Sequence, residues 1–349
     1  MAQTRIDYSQ LILDFIRIHP GCSSREIHEA LAVTMAYATV KRGLQDLQAK
    51  NLVRALGQGK STRYKISPSF ELVFPIDVER YFEKEIDDRA IKQHFKLDLL
   101  REVLPQVSLF TSEEKSQLKN LQQQFLKNIS FLSEAEYRKE FERLAIDLSW
   151  KSSQIEGNTY SLLETERLLK EQETASGKSK DEATMLLNHK VAIDFVLENP
   201  DYIVPLTIGA IEDLHSILIR ELNVDRNIRR RKVGITGTNY QPPDNEFQIK
   251  EALQEMCTLI NHRGDVFEKA LLALLLISYI QPFADGNKRT ARIISNALLI
   301  QHRHCPISFR TVDSLDYKKA MLIFYEQNNI SAFKTIFISQ FEFAVKTYF

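Results

Sequence analysis

The sequence predicts a mainly α-helical protein, and three observations carry that prediction. Apolar residues recur at helical spacing through most of the 349 residues, interrupted by Pro, Gly and Asn rather than at regular strand intervals. β-branched, turn-rich stretches are confined to residues 52–66 and 233–243. A composition of 44% hydrophobic and 26% charged residues is that of a globular chain, long enough for two domains. Basic and acidic residues are equal at 46 each, so total charge points to no partner. The first 66 residues differ: ten basic and five acidic side chains give net +5 and leave −5 on the remainder, which favours an anionic partner for the N-terminal part. Cys22, Cys257 and Cys305 are odd in number and lack metal-ligand spacing, against a disulfide framework or zinc site. The longest apolar run, 270–277, is too short to cross a bilayer, and no signal-peptide pattern opens the chain. The expected location is the cytoplasm, with no membrane partner.

Taken in order, residues 8–18, 24–31 and 37–50 read as helices, followed by short strands at 52–55 and 62–66 around a Gly-rich turn. Ser23 or Ser24 caps the second helix, and Val40, Leu44 and Leu47 give the third its apolar face. Residues 1–66 resemble a winged helix-turn-helix. The resemblance implies binding of double-stranded DNA, with Thr39 and Arg42 on the recognition helix and Arg63 on the wing; the same module also serves dimerisation or protein contacts. Ser67-Pro68-Ser69 and Pro75 mark a boundary, and 67–132 reads as a connector of polar helices without chemistry.

The region 133–349 is helical apart from Val233–Tyr240 with Pro242 and Pro243, which reads as a short hairpin ahead of a helix starting at about Gln248. A helix is expected at 208–221, with His215 on its apolar face. Residues 270–280 are apolar nearly all round, as in a buried helix; Pro282 and Asp285-Gly286-Asn287 break it, and a new helix runs from about Lys288 to His302. That helix start is a phosphate site. Its first N–H groups lack intrahelical partners, Gly286 admits close approach of an anion, and Lys288, Arg289 and Arg292 add charge. Asp285 is the carboxylate placed to hold Mg²⁺ against phosphate oxygens. Upstream, Ser152 and Glu156 are four residues apart on one helical face, in a segment of about 145–157 that ends at Gly157.

Residues 281–292, Gln281-Pro-Phe-Ala-Asp-Gly-Asn-Lys-Arg-Thr-Ala-Arg292, resemble the signature of the Fic family, His-x-Phe-x-Asp/Glu-Gly-Asn-x-Arg-x-x-Arg. The resemblance implies a Fic-type helical domain that transfers AMP from ATP to a protein hydroxyl, on a target or on itself. It implies Asn287 and Arg289 as catalytic residues, Gly286, Asn287, Lys288, Arg289 and Arg292 as nucleotide contacts, and Asp285 as the metal ligand. Gln281 occupies the position of the family's catalytic histidine. A Gln amide can orient a hydroxyl but not deprotonate it, a loss of ~10²- to 10⁴-fold in rate. The family's inhibitory element, Ser/Thr-x-x-x-Glu-Gly/Asn, falls on Ser152 and Glu156, which implies that Glu156 pairs with Arg292 and autoinhibits. The hairpin corresponds to the family's flap, with Thr238 and Tyr240 facing a target; the preceding Arg229-Arg-Arg-Lys232 is either the basic residue before the flap or a surface cluster. Lys288 is shared with the Doc-like branch, which phosphorylates its target, so the resemblance leaves the transferred group open between AMP and another phosphate-containing group. Family members often self-associate, so a homodimer is implied. Two readings stay open: a weak, autoinhibited adenylyltransferase, or a catalytically silent nucleotide-binding regulator acting on DNA.

Overall fold

Three amphipathic helices and a hairpin open the computed structural model, which describes residues 8–32 and 35–349. They are α1 (Tyr8–Ile18), α2 (Ser24–Leu31), α3 (Tyr37–Ala49), β1 (Val53–Leu56) and β2 (Arg63–Ile66). Ser23 caps α2 in a reciprocal box with Glu26, each side chain satisfying the other's backbone N–H. Ile12, Ile16, Ile27, Val40, Leu44 and Leu47 turn inward as their core. The strands pair antiparallel, Val53 opposite Ile66 and Leu56 opposite Arg63. The described part of Met1–Pro75 and Gln106–Lys115 form one compact unit; Ile76–Pro105 and Ser116–Phe349 form the other. The stretch 67–132, expected to be a separate connector, is thus divided between them.

The remaining helices are α4 (Phe70–Val73), α5 (Val78–Phe82), α6 (Ser112–Ile129), α7 (Glu134–Ile155), α8 (Leu162–Glu171), α9 (Lys180–Glu198), α10 (Ile208–Leu218), α11 (Glu246–His262), α12 (Val266–Ile280), α13 (Asn287–Gln301), α14 (Ser314–Gln327) and α15 (Ser331–Thr347). Ser133, Ser161 and Ser179 start α7, α8 and α9 with the same capping box seen at α2. The apolar run predicted to be buried is the centre of the second unit: from Ala270 to Ile280 no residue of α12 is exposed, and α13 packs along it. Among the described residues no helix is long and apolar enough to cross a membrane.

Two expectations are corrected. Residues 78–105, expected to form polar α-helices, contain only α5 and single-turn 3₁₀ and π segments at Ile86–Asp88, Leu99–Val103 and Leu104–Gln106. Their backbone groups bond to other elements: Lys92 N–H donates to the Glu326 carbonyl and Phe95 N–H to that of Gln241. The helix expected at 208–221 ends at Leu218: Ile219 caps it with its N–H on the His215 carbonyl, and the chain then turns through Glu221 and Asn223, both at positive φ.

Candidate functional site

The site is built where α12 stops. Gln281 caps it in the left-handed conformation (φ 51°), and the loop that follows is stapled from within. Asn287 accepts the Phe283 N–H at 2.8 Å and donates to the Phe283 carbonyl and to Gln281 Oε1 at 2.8 and 2.9 Å. Gln281 Nε2 donates to the Ser278 carbonyl at 2.7 Å, so both ends of its amide are engaged. Phe283 is buried and lies flat on the His215 ring, centroids 3.6 Å apart and planes 2° from parallel. His215 Nε2–H donates to the Asp285 carbonyl at 2.9 Å, and burial pushes its pKa down to about 4. Gly286 (φ 82°) opens α13; a Cβ there would stand 3.3 Å from His215 and Ile219, and the left-handed turn itself favours glycine.

The charged groups expected to act together are together. The α13 N-terminus, Gln281, Asp285 and Arg289 line a cleft of about 550 Å³ whose other walls are Glu156, residues 233–237 and one face of α14. Arg289 is buried and reaches Asp285 Oδ2 at 3.2 Å, while the Asp285 side chain stays 67% exposed at the mouth. Arg292 is fully buried. Its Nε donates to Ser152 Oγ at 2.8 Å, and its Nη2 donates to the Ser152 carbonyl at 2.9 Å and to Glu156 Oε1 at 2.8 Å. The other Glu156 oxygen lies 3.5 Å from Lys288 Nζ. Burial pushes the Glu156 carboxyl up, but Arg292 and Lys288 outweigh it, leaving the pKa below the ordinary carboxylate range. The α7 C-terminus that presents this carboxylate is fastened beyond Gly157. Asn158 Nδ2 donates to the Glu182 carbonyl, and the Glu182 carboxylate accepts the N–H groups of Thr159 and Ser179.

The expected flap hairpin is absent: residues 233–240 form no strand pair. Val233–Gly237 line the cleft, but Thr238 and Tyr240 are buried rather than turned to a target. Tyr240 stacks between Tyr279 and Tyr325 and donates its hydroxyl to the Tyr279 carbonyl at 2.9 Å. Arg89 holds the Gly237 carbonyl at 2.7 Å, and Gln241 pairs in parallel with His94. With its second half committed to these partners, the segment cannot fold back on its first half. The basic run before it divides. Arg229 is buried, bonding the carbonyls of Gln281 (2.6 Å) and Pro243 (2.7 Å), whereas Arg230 and Lys232 pair at the surface with Glu246 and Asp244. In the first unit Arg42 and Arg63 are exposed and Thr39 is half-buried; Tyr37 is exposed with Lys41 Nζ 5.4 Å over its ring.

Residues 205–299 match the model of the Fic/DOC family, and they contain the cleft loop and the start of α13. The chain is 27% identical over 156 residues to the protein adenylyltransferase Fic of Drosophila melanogaster, covering 44% of this chain and 32% of that protein. It is 29% identical over 175 residues to the Nematostella vectensis protein of the same name, covering 48% and 40%. The chain therefore spans about a third of the length of the first curated relatives it matches. Among solved structures, Fic-1 from C. elegans superposes with a TM-score of 0.57 at 19% identity over 68% of this chain and 72% of that one. A Fic domain containing signaling protein from Bacteroides thetaiotaomicron gives 0.56 at 20% over 66% and 95%. At these identities the likeness is one of fold.

Proposed function

We propose that this chain, with its Fic/DOC family domain, binds ATP with Mg²⁺ and transfers AMP to a protein hydroxyl, slowly and under restraint by Glu156. The observation that carries the reading is the 2.8 Å pairing of Glu156 with buried Arg292 behind a helix start shaped for phosphate. Gly286 and the first N–H groups of α13 receive the phosphates, Arg289 and Lys288 add charge, and Arg292 is withheld from the terminal phosphate while Glu156 occupies it. The relatives named as adenylyltransferases support the choice of AMP as the transferred group. No cluster of three ligating side chains occurs among the described residues, so a Mg²⁺ here would rest on Asp285 and the nucleotide itself. That donor set fits a cation that keeps its waters and bridges phosphate oxygens. The metal would neutralise phosphate charge. The acceptor hydroxyl, on a target or on a second copy of the chain, would lie beside Val233–Gly237 and Gln281.

The test is incorporation of α-labelled ATP into protein. Glu156→Gly is expected to label itself faster than the unchanged chain, because Arg292 becomes available to the nucleotide. Label appearing only from γ-labelled ATP would instead indicate phosphoryl transfer, the chemistry that Lys288 raises.

A second reading, a nucleotide-binding regulator without transfer, is favoured by the Gln281 amide being engaged at both ends and by the exposed cations of α3 and β2. On either reading the first unit is expected to bind duplex DNA through Thr39, Arg42 and Arg63. Arg63→Ala should reduce the slope of log affinity against log salt by about 1. An unchanged slope would remove Arg63 from the interface.

A further inference from the structure

His189, on α9, has no role in the chemistry above, yet it touches the residue that holds Arg292. It is fully buried, and its Nε2 lies 2.6 Å from Ser152 Oγ. The direction of the hydrogen bonds follows from what each group can do. Arg292 Nε can only donate, so Ser152 Oγ accepts there, at 2.8 Å. The hydroxyl has one proton left to give, and His189 Nε2, 2.6 Å away, can accept it. This order makes the imidazole neutral with its own proton on Nδ1, which is buried without a hydrogen-bond partner among the described residues; the opposite order, with Nε2–H donating, would leave Nδ1 equally unpaired and the serine proton unpaired as well. Burial, with Arg292 and Arg289 alongside, opposes a second proton on the ring. The resulting chain of donors runs from Arg292 to Ser152 to His189, and it turns the guanidinium so that Nη2 meets both the Ser152 carbonyl and Glu156.

We propose that His189 is a positioning residue of the inhibitory contact: by accepting the Ser152 hydroxyl it aims that oxygen's lone pair at Arg292 Nε and holds the guanidinium on Glu156, away from the cleft. The proposal rests on the inhibitory reading of Glu156 given above. Its chemistry is particular. A hydrophobic residue of similar size would fill the space between α9 and α7 but leave the serine hydroxyl without an acceptor, free to rotate and to release Arg292 toward a terminal phosphate.

The experiment is titration calorimetry of the full chain with ATP and with AMP, both with Mg²⁺. The ratio of the two affinities reports how available Arg292 is to the outer phosphates, and a general loss of packing would lower both affinities without raising the ratio. Glu156→Gly should raise the ratio. His189→Leu should raise it about 2- to 10-fold, the worth of one hydrogen bond. Ser152→Ala should do the same, while His189→Gln, whose amide oxygen can accept the serine proton, should stay near the unchanged chain. If Glu156→Gly raises the ratio while His189→Leu and Ser152→Ala do not, the positioning role is overturned with the inhibitory reading intact; should His189→Leu fail to fold, Ser152→Ala decides. A His189→Gln chain that behaves like His189→Leu also overturns it. If Glu156→Gly leaves the ratio unchanged, the inhibitory reading is lost and this proposal with it.

Discussion

A chain carrying both Gln281→His and Glu156→Gly is expected to incorporate label from α-labelled ATP about 10²- to 10⁴-fold faster than one carrying Glu156→Gly alone. The backbone at 281 is left-handed, a conformation in which histidine is among the better tolerated residues. One imidazole nitrogen can donate to the Ser278 carbonyl as the Gln281 amide does now, leaving the other as a base with a pKa near neutrality. Asn287 would lose the Gln281 oxygen but keep both of its bonds to Phe283, so the loop should hold its shape. Equal rates in the two variants would mean that proton removal does not limit transfer here. Absence of label in both would leave nucleotide binding without transfer as the better account.

The start of α13 was legible because its signals are local: Pro282 ends one helix, Gly286 supplies the left-handed turn, and the predicted helix start lies one residue from the observed one. Glu156 was legible in part. Its helical offset from Ser152 puts the two on one face, but that Arg292 faces them across 136 residues of chain came only from family resemblance. The segment expected as a flap departs from its sequence pattern for the opposite reason. Residues 233–240 carry a genuine hairpin pattern, and tertiary partners override it: Tyr240 enters an aromatic stack and Arg89, from far upstream, takes the Gly237 carbonyl. Arg229 shows the same limit, since nothing in a run of four basic residues marks the first as buried and the others as solvated. His189 and His215 sit at helical positions that packing alone would explain. What distinguishes them is one bond each, to Ser152 and to the Asp285 carbonyl, and neither bond leaves a trace in spacing.

Arg89→Met is expected to cost the second unit about 3–5 kcal/mol, the largest stability loss predicted for this chain. Arg89 and Glu326 are both buried, with Nη1 and Oε2 3.4 Å apart, and water has little access to either. The Arg89 guanidinium also lies 5.1 Å from the Phe82 ring centroid and donates to the Gly237 carbonyl. Tyr81 donates its hydroxyl to the same Glu326 oxygen at 2.6 Å, so the carboxylate would keep one hydrogen bond after substitution but lose its counter-charge. The penalty is that of a buried, uncompensated anion more than of a lost attraction. For that reason the double variant Arg89→Met with Glu326→Leu should recover most of the loss, even though it contains no ion pair at all. Urea unfolding followed by helical circular dichroism would measure both variants, taking the transition of the second unit. A double variant as unstable as Arg89→Met would show that the guanidinium's hold on Gly237 and its packing on Phe82, and not the charge, stabilise this corner. The distinction bears on the cleft: Gly237 is part of its wall, so whichever term dominates also sets how firmly Val233–Gly237 are held there.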